Sequence, residues 1–116
     1  MKVLPRYWAD CVSTDFSDMD LLRTVAVLPL GATEQHGPHL PVQVDSRLAT
    51  EVAHRAARKM TARHPTIVAP TVPYGMSEHH MSLSGTITLD YATMAAVLGC
   101  CCESMVRHGF RRIFVL

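Results

Sequence analysis

Three short apolar runs, separated by two long amphipathic stretches, leave this chain few ways to fold. VAVLPL at 25–30, TIVAP at 66–70 and RRIFVL at 111–116 are rich in valine, isoleucine and leucine, and the first two stop at glycine or proline. Runs of that length and composition suit buried strands. After the first run, Ser46 suits a helix N-cap, and the helix it opens extends to about Arg63. Its apolar face reads as Leu48, Val52, Ala53, Ala56 and Met60, with Arg58, Lys59 and Arg63 near the end where cations favour the helix dipole. Residues 71–86 form a long polar loop after the second run. Asp90 then caps a second helix to His108, with Met94, Val97, Leu98, Cys101, Met105 and Val106 inward and Gly109 as its stop. This β-α-β-loop-α-β order predicts an α/β fold: a parallel sheet of three strands with helices on both faces and right-handed connections. Residues 1–22 read as a packed, partly helical lead-in, carrying Trp8, Phe16 and the acidic Asp15, Asp18 and Asp20.

Several function classes are excluded early. The formal net charge of +1 gives no pull toward nucleic acid or an anionic membrane surface. No apolar run approaches the roughly 18 residues of a spanning helix, and MKVLPRYWADC has no signal-peptide core, so a cytoplasmic location is expected. Cys100, Cys101 and Cys102 are consecutive, and on a helix they point in different directions, so they do not clasp one metal ion. They and Cys11 read as small apolar residues in a reducing compartment.

The chemistry concentrates in TEQHGPHLPVQVD, residues 33–45. Glu34, His36, His39 and Asp45 fall within twelve positions, stiffened by Gly37, Pro38 and Pro41. The loop follows the first strand directly, and the loop with Glu78, His79 and His80 follows the second. In open parallel sheets, ligands bind beyond the carboxyl ends of the strands, so both polar clusters emerge on the binding edge. Imidazole with carboxylate suits Zn²⁺, Mn²⁺ or Fe²⁺. Glu34 and His36, two apart, project to one side of an extended segment. Asp45 arrives from the far end of the loop, and its two oxygens can bridge a metal pair. Structural roles fit the same residues: Asp45 beside Ser46 also suits a helix N-terminus, Glu34 a solvated loop charge, and His39 a hydrogen bond to a backbone carbonyl.

LPLGATEQHGPHLPVQVD resembles the creatininase family, the creatinine amidohydrolases, whose hallmark is a strand followed by E-Q-H-G-P-H-L-P and then an Asp. PYGMSEHHMSLSGTITLD at 73–90 is similar to a second family block, with Leu83-Ser84 where Phe-Pro commonly precedes Gly-Thr. RHGFRRIFVL resembles the strand leading into the next motif. The resemblance implies a metal-dependent amidohydrolase on an α/β/α fold, with two divalent ions, Zn²⁺ or Mn²⁺, and a homo-oligomer, usually a hexamer. It implies a small-molecule amide as substrate: a cyclic amide, a formamide, or the tail of a peptide. Residue by residue, Glu34 matches a ligand of one ion, His36 a ligand of the other, and Asp45 the bridge. His79 and His80 match positions lining the substrate pocket, with no catalytic role carried over.

The family continues after the strand at 112–116 into N-G-H, whose His is a ligand, and later supplies a Glu. The expectation is therefore that residues 1–116 are the N-terminal portion of one such domain, truncated after the third strand. Three residues shared by two ions leave each with about two protein ligands, where zinc wants four, or three and a water. Such a chain is expected to be inactive alone. The alternatives are a non-catalytic remnant of the fold serving assembly, and a module holding a single metal ion.

Overall fold

The structure is a computed structural model and describes residues 5–116. Residues 1–4, part of the expected lead-in, lie outside the described residues. The elements in chain order are β1 (Arg6–Tyr7), a 3₁₀ turn (Trp8–Asp10), α1 (Ser13–Ser17), β2 (Val25–Leu28), α2 (Val44–Met60), β3 (Thr66–Val68), a second 3₁₀ turn (Glu78–His80), α3 (Tyr91–His108) and β4 (Arg112–Val115). The sheet is wholly parallel, in the order β1-β3-β2-β4.

The sheet thus has four strands, not three. The lead-in contributes β1, where Arg6 pairs with Ile67 and Tyr7 with Val68. Two residues are too few to show a hydrophobic period, and only pairing with β3 makes them a strand. Trp8 and Phe16 of the lead-in pack as expected: Trp8 stacks obliquely on Phe16 at 4.8 Å and on Phe110 at 5.3 Å.

The pleat divides the sheet into two faces. Ala26, Leu28, Ile67 and Ala69 point toward α3, where they meet Met105 and Phe110, with Leu98 and Cys101 at the margin. Val27 and Val68 point the other way, onto Ala53 and Ala57 of α2. Both faces are therefore covered, as the pattern predicts. α3 is bounded as expected: the Asp90 carboxylate accepts from the Thr93 N–H at 2.7 Å, and Gly109 takes the left-handed conformation at φ 119°. Val106, expected inward, is 47% exposed.

α2 departs from expectation more. It begins at Val44 rather than after Ser46 and ends at Met60 rather than Arg63. Ser46 is not the cap; its hydroxyl donates instead to the Ala32 carbonyl at 3.0 Å. The buried face is Ala53 and Ala57, whereas Leu48 and Val52 are 59% and 50% exposed. Alanines let the helix approach Val27 and Val68 closely, and the larger pair on the adjoining stripe is left outside. The bond from Ser46 tightens the junction with the loop after β2: a Cβ on Gly31 would lie 2.5 Å from the Ser46 Cα, so only glycine fits.

Beyond the strand ends, the two polar loops are sewn together. Leu30 bridges Val72 and Thr33 bridges Ile87, while Gly75 bridges Thr88 within the second loop. The loops after β2 and β3 thus form one layer over the carboxyl edge of the sheet, and this layer carries the candidate site.

Candidate metal centre

The loop after β2 leaves the sheet at Pro29 and turns at Gly37, whose φ of 69° favours glycine. A bridge between His36 and Leu40 closes the turn. The Glu34 N–H donates to the Val42 carbonyl at 3.1 Å, so the loop folds back on itself and delivers Asp45 to the first turn of α2. A carboxylate in that position also meets the positive end of the helix dipole.

This folding gathers three ligand-type side chains. One atom each of Glu34, His36 and Asp45 lies within 4.8 Å of the others. The His36 Nε2 is 3.4 Å from the Asp45 Oδ1. On the far side of the ring, Nδ1 is 3.0 Å from the Glu34 carbonyl oxygen. A carbonyl only accepts, so Nδ1 carries a hydrogen, and in the neutral ring Nε2 is the nitrogen that faces the carboxylates with its lone pair. The orienting group for His36, which spacing alone does not reveal, is thus the backbone of its own near neighbour. His39 is exposed and stands apart from this group, its ring lying against Gly37.

The second loop supplies a further side. The His80 Nε2 lies 3.9 Å from the Glu34 Oε1, and Glu34, His79 and His80 form a second set with ligand atoms within 4.8 Å. The two imidazoles sit at 4.3 Å between centroids on the 3₁₀ turn. Two residues absent from the sequence reading hold this side in place. Thr86 accepts from the Gln35 N–H at 3.1 Å and donates to the His80 carbonyl at 3.2 Å, so one hydroxyl ties the loops together. Ser77 is buried, and its hydroxyl has no partner at full hydrogen-bond geometry. Thr86 was signalled by the Gly-Thr of the second block. Ser77 had no local signal, because its burial comes from packing.

Charge is unevenly distributed over the cluster. The Ser77 hydroxyl, close to Glu34 though short of a formed bond, is the main influence holding that carboxyl below its usual range, with His80 and His79 adding to it. Asp45 is pushed up by partial burial and then by the neighbouring Glu34 carboxylate. His36 is raised, first by the Glu34 carbonyl and then by Asp45. Two carboxylates beside each other resist joint ionisation, and a cation between them removes that conflict. The donor set and the free Nε2 fit a borderline or hard divalent ion.

Comparison with known proteins agrees with the motif. The family model described as creatinine amidohydrolase matches residues 9–116. A mycofactocin precursor peptide peptidase of Mycobacterium ulcerans is 40% identical over 77 residues, covering 62% of this chain and 31% of the relative. The creatinine amidohydrolase of Pseudomonas putida is 35% identical over 97 residues, covering 79% and 36%. A solved creatininase variant complexed with creatine superposes with a TM-score of 0.86 at 28% identity, over 96% of this chain and 44% of that one. Further creatininases of similar likeness include a manganese form and a Zn-Zn form, at TM-scores of 0.81 and 0.82. The chain therefore spans less than half the length of the proteins it matches. With its hallmark loop, its parallel sheet and a family match running from residue 9 to residue 116, the chain belongs to the creatininase family.

Proposed function

We propose that this chain carries the metal-holding part of an amidohydrolase centre that cleaves a C–N bond of the amide class. The observation that carries the reading is the convergence of Glu34, His36 and Asp45, with the His36 Nδ1–H spent on the Glu34 carbonyl so that Nε2 faces the carboxylates. The relatives add a substrate class: one is named for creatinine, a cyclic amide, and the other for a peptide. Hydrolysis of an amide-type carbonyl is common to both.

Glu34 and His36 would each hold one ion and Asp45 would bridge. Zn²⁺ or Mn²⁺ held there supplies Lewis acidity and an easily deprotonated water. The chain's own residues do the rest of what is assigned here. The Glu34 carbonyl fixes the His36 tautomer. Ser77 favours the ionised form of Glu34. Thr86 fixes the separation of the two loops, and His79 and His80 line the open side facing a small amide substrate. We place turnover itself in an assembly that includes the remaining length of the relatives, of which 44% of one solved chain is matched.

Equilibrium dialysis of the 116-residue chain against Zn²⁺ or Mn²⁺ tests the centre. The wild type retains metal; Asp45→Ala and His36→Gln retain less. No metal retained by the wild type overturns the reading. In the same samples, creatinine and a formamide substrate hydrolyse no faster than in buffer. Metal-dependent turnover that vanishes in Asp45→Ala would instead show that the chain suffices for catalysis.

A further inference from the structure

Asp45, the bridging carboxylate of the centre, sits in the first turn of α2, and that turn has little of its own to hold it. Gln43, at the N-cap, makes no side-chain capping bond. None of residues 44–50 is buried, and α2 meets the sheet only further along, at Ala53 and Ala57. A helix start with neither a cap nor apolar anchorage is prone to fray. Something else must fix Asp45 against Glu34 and His36.

Three hydroxyls do so. The Ser46 hydroxyl donates to the carbonyl of Ala32, two residues before Glu34, at 3.0 Å. The Thr50 hydroxyl donates to the Ser46 carbonyl at 2.7 Å, the bond that helical threonines often make to the carbonyl four residues back. The same oxygen lies 2.6 Å from the hydroxyl of Thr71, in the loop after β3. A hydroxyl has one hydrogen, and the Ser46 carbonyl takes the one on Thr50. The direction is therefore fixed: Thr71 donates to Thr50, and Thr50 to Ser46. The far end is anchored as well. Val72, next to Thr71, donates to the Pro29 carbonyl at 3.0 Å and accepts from the Gly31 N–H at 2.8 Å. These bonds close a ring through the root of the first loop, the start of the second loop and the first turn of α2. Asp45 is next to Ser46 on that ring, and the segment with Glu34 and His36 leaves it at Ala32.

We propose that Thr50 and Thr71 are positioning residues for Asp45: a hydroxyl clamp that sets the bridging carboxylate against Glu34 and His36. This role presupposes the reading of Glu34, His36 and Asp45 as a metal centre, and it adds two residues that are not ligands. The ligand-type atoms stand within 4.8 Å of one another, and the His36 Nε2 is 3.4 Å from the Asp45 Oδ1. A working constellation tolerates a drift of about 0.5 Å. Slack in the first turn of α2 therefore reaches the ions directly. Removing an outer partner of a metal ligand costs roughly 10–100-fold in affinity. The clamp acts through the backbone beside Asp45, which places its effect at the lower end of that range.

Metal affinity is compared with stability in the 116-residue chain. Zn²⁺ affinity is read by equilibrium dialysis, coordination geometry by the visible absorption of Co²⁺, and stability by the urea midpoint. Thr71→Val keeps the shape and removes the donor. It should bind Zn²⁺ about ten-fold more weakly, with an altered cobalt spectrum, and Thr71→Ser should restore both. Thr71→Ala repeats the comparison without placing an extra methyl among polar groups. Because the two hydroxyls act as one device, Thr50→Val/Thr71→Val should bind no more weakly than Thr50→Val alone. Ala56→Gly is the control: a glycine within α2 weakens the helix and leaves the ring of bonds intact. It should lower the urea midpoint without changing the zinc affinity or the cobalt spectrum. Wild-type affinity and spectrum in Thr71→Val and Thr71→Ala would overturn the clamp and leave the centre standing. So would an Ala56→Gly affinity that falls in step with its midpoint. A wild type that retains no metal would overturn the centre and the clamp with it.

Discussion

Single hydroxyls and carboxylates decide how precisely the two loops meet. Thr86 makes one bond across the gap, accepting from the Gln35 N–H, and one within its own loop, donating to the His80 carbonyl. Thr86→Val keeps the shape and removes both, and each net bond contributes about 0.5–1.5 kcal/mol. The expected loss is therefore about 1–3 kcal/mol in urea unfolding, with Thr86→Ser retaining most of the stability. Equal midpoints for Thr86→Val and the wild type would show that the loops do not depend on that hydroxyl. Asp90 behaves differently because it titrates. Its carboxylate accepts from Thr93 at the start of α3, and those bonds hold its pKa below the usual value. A depressed folded pKa means that the stabilisation is fully present above the ordinary aspartate range and is lost as pH falls through the folded value. Asp90→Ala should therefore melt below the wild type at neutral pH, and the gap should close in acid. A gap that stayed constant down to acid pH would assign the effect to something other than the charged cap.

Elements were legible where their signals are local. Asp90 and Gly109 bound α3 as expected, because capping is decided within a few residues. The strands β2, β3 and β4 fall inside the three apolar runs for the same reason. β1 was not legible, since two residues become a strand only when β3 is beside them. The packed stripe of α2 was legible only in part: Ala53 reads as inward and is buried, whereas Ala57 has no place on the expected face and Leu48 and Val52 lie outside. Leu48 and Val52 form one stripe four residues apart, Ala53 and Ala57 another, and only the sheet chooses between them. In the site, Glu34, His36 and Asp45 announced themselves by type and spacing, whereas Ser77 acquires its place beside Glu34 by burial. The choice of stripe can be measured. Leu48→Gln and Val52→Gln should each change stability by no more than about 0.5 kcal/mol, as exposed positions do. Ala57→Leu, pressed against Val27 and Val68, should cost about 1–3 kcal/mol by overpacking. Urea midpoints of the three variants decide it, and the reverse order would mean that the larger stripe is the packed one.

At the scale of the whole molecule, the covered faces are thin and, among the described residues, the sheet ends in two edge strands, of which β4 is the longer and more apolar. A self-contained domain of this length has a radius of gyration of about 13 Å, and this one has 15.7 Å. Among the described residues, β4 pairs only with β2, which leaves its other side as a sheet edge. Phe114, at 56% exposure, Val115 and Leu116 stand at that edge, close to water rather than to a core. Each large apolar side chain left exposed forgoes roughly 1.5–3 kcal/mol of burial, against a total stability of about 5–15 kcal/mol for an ordinary domain. An unpaired strand edge with apolar side chains is also a template for another chain. The 116-residue protein should therefore elute from size exclusion as concentration-dependent species larger than a monomer, and melt broadly. Phe114→Lys places a charge on the edge without touching the buried Ala26, Ile67 or Phe110. It should move the population toward monomer and sharpen the transition, because a lysine blunts edge pairing where a phenylalanine invites it. A wild type that runs as a clean monomer at every concentration, with a sharp reversible melt, would mean that two helices over four strands already bury enough to stand alone.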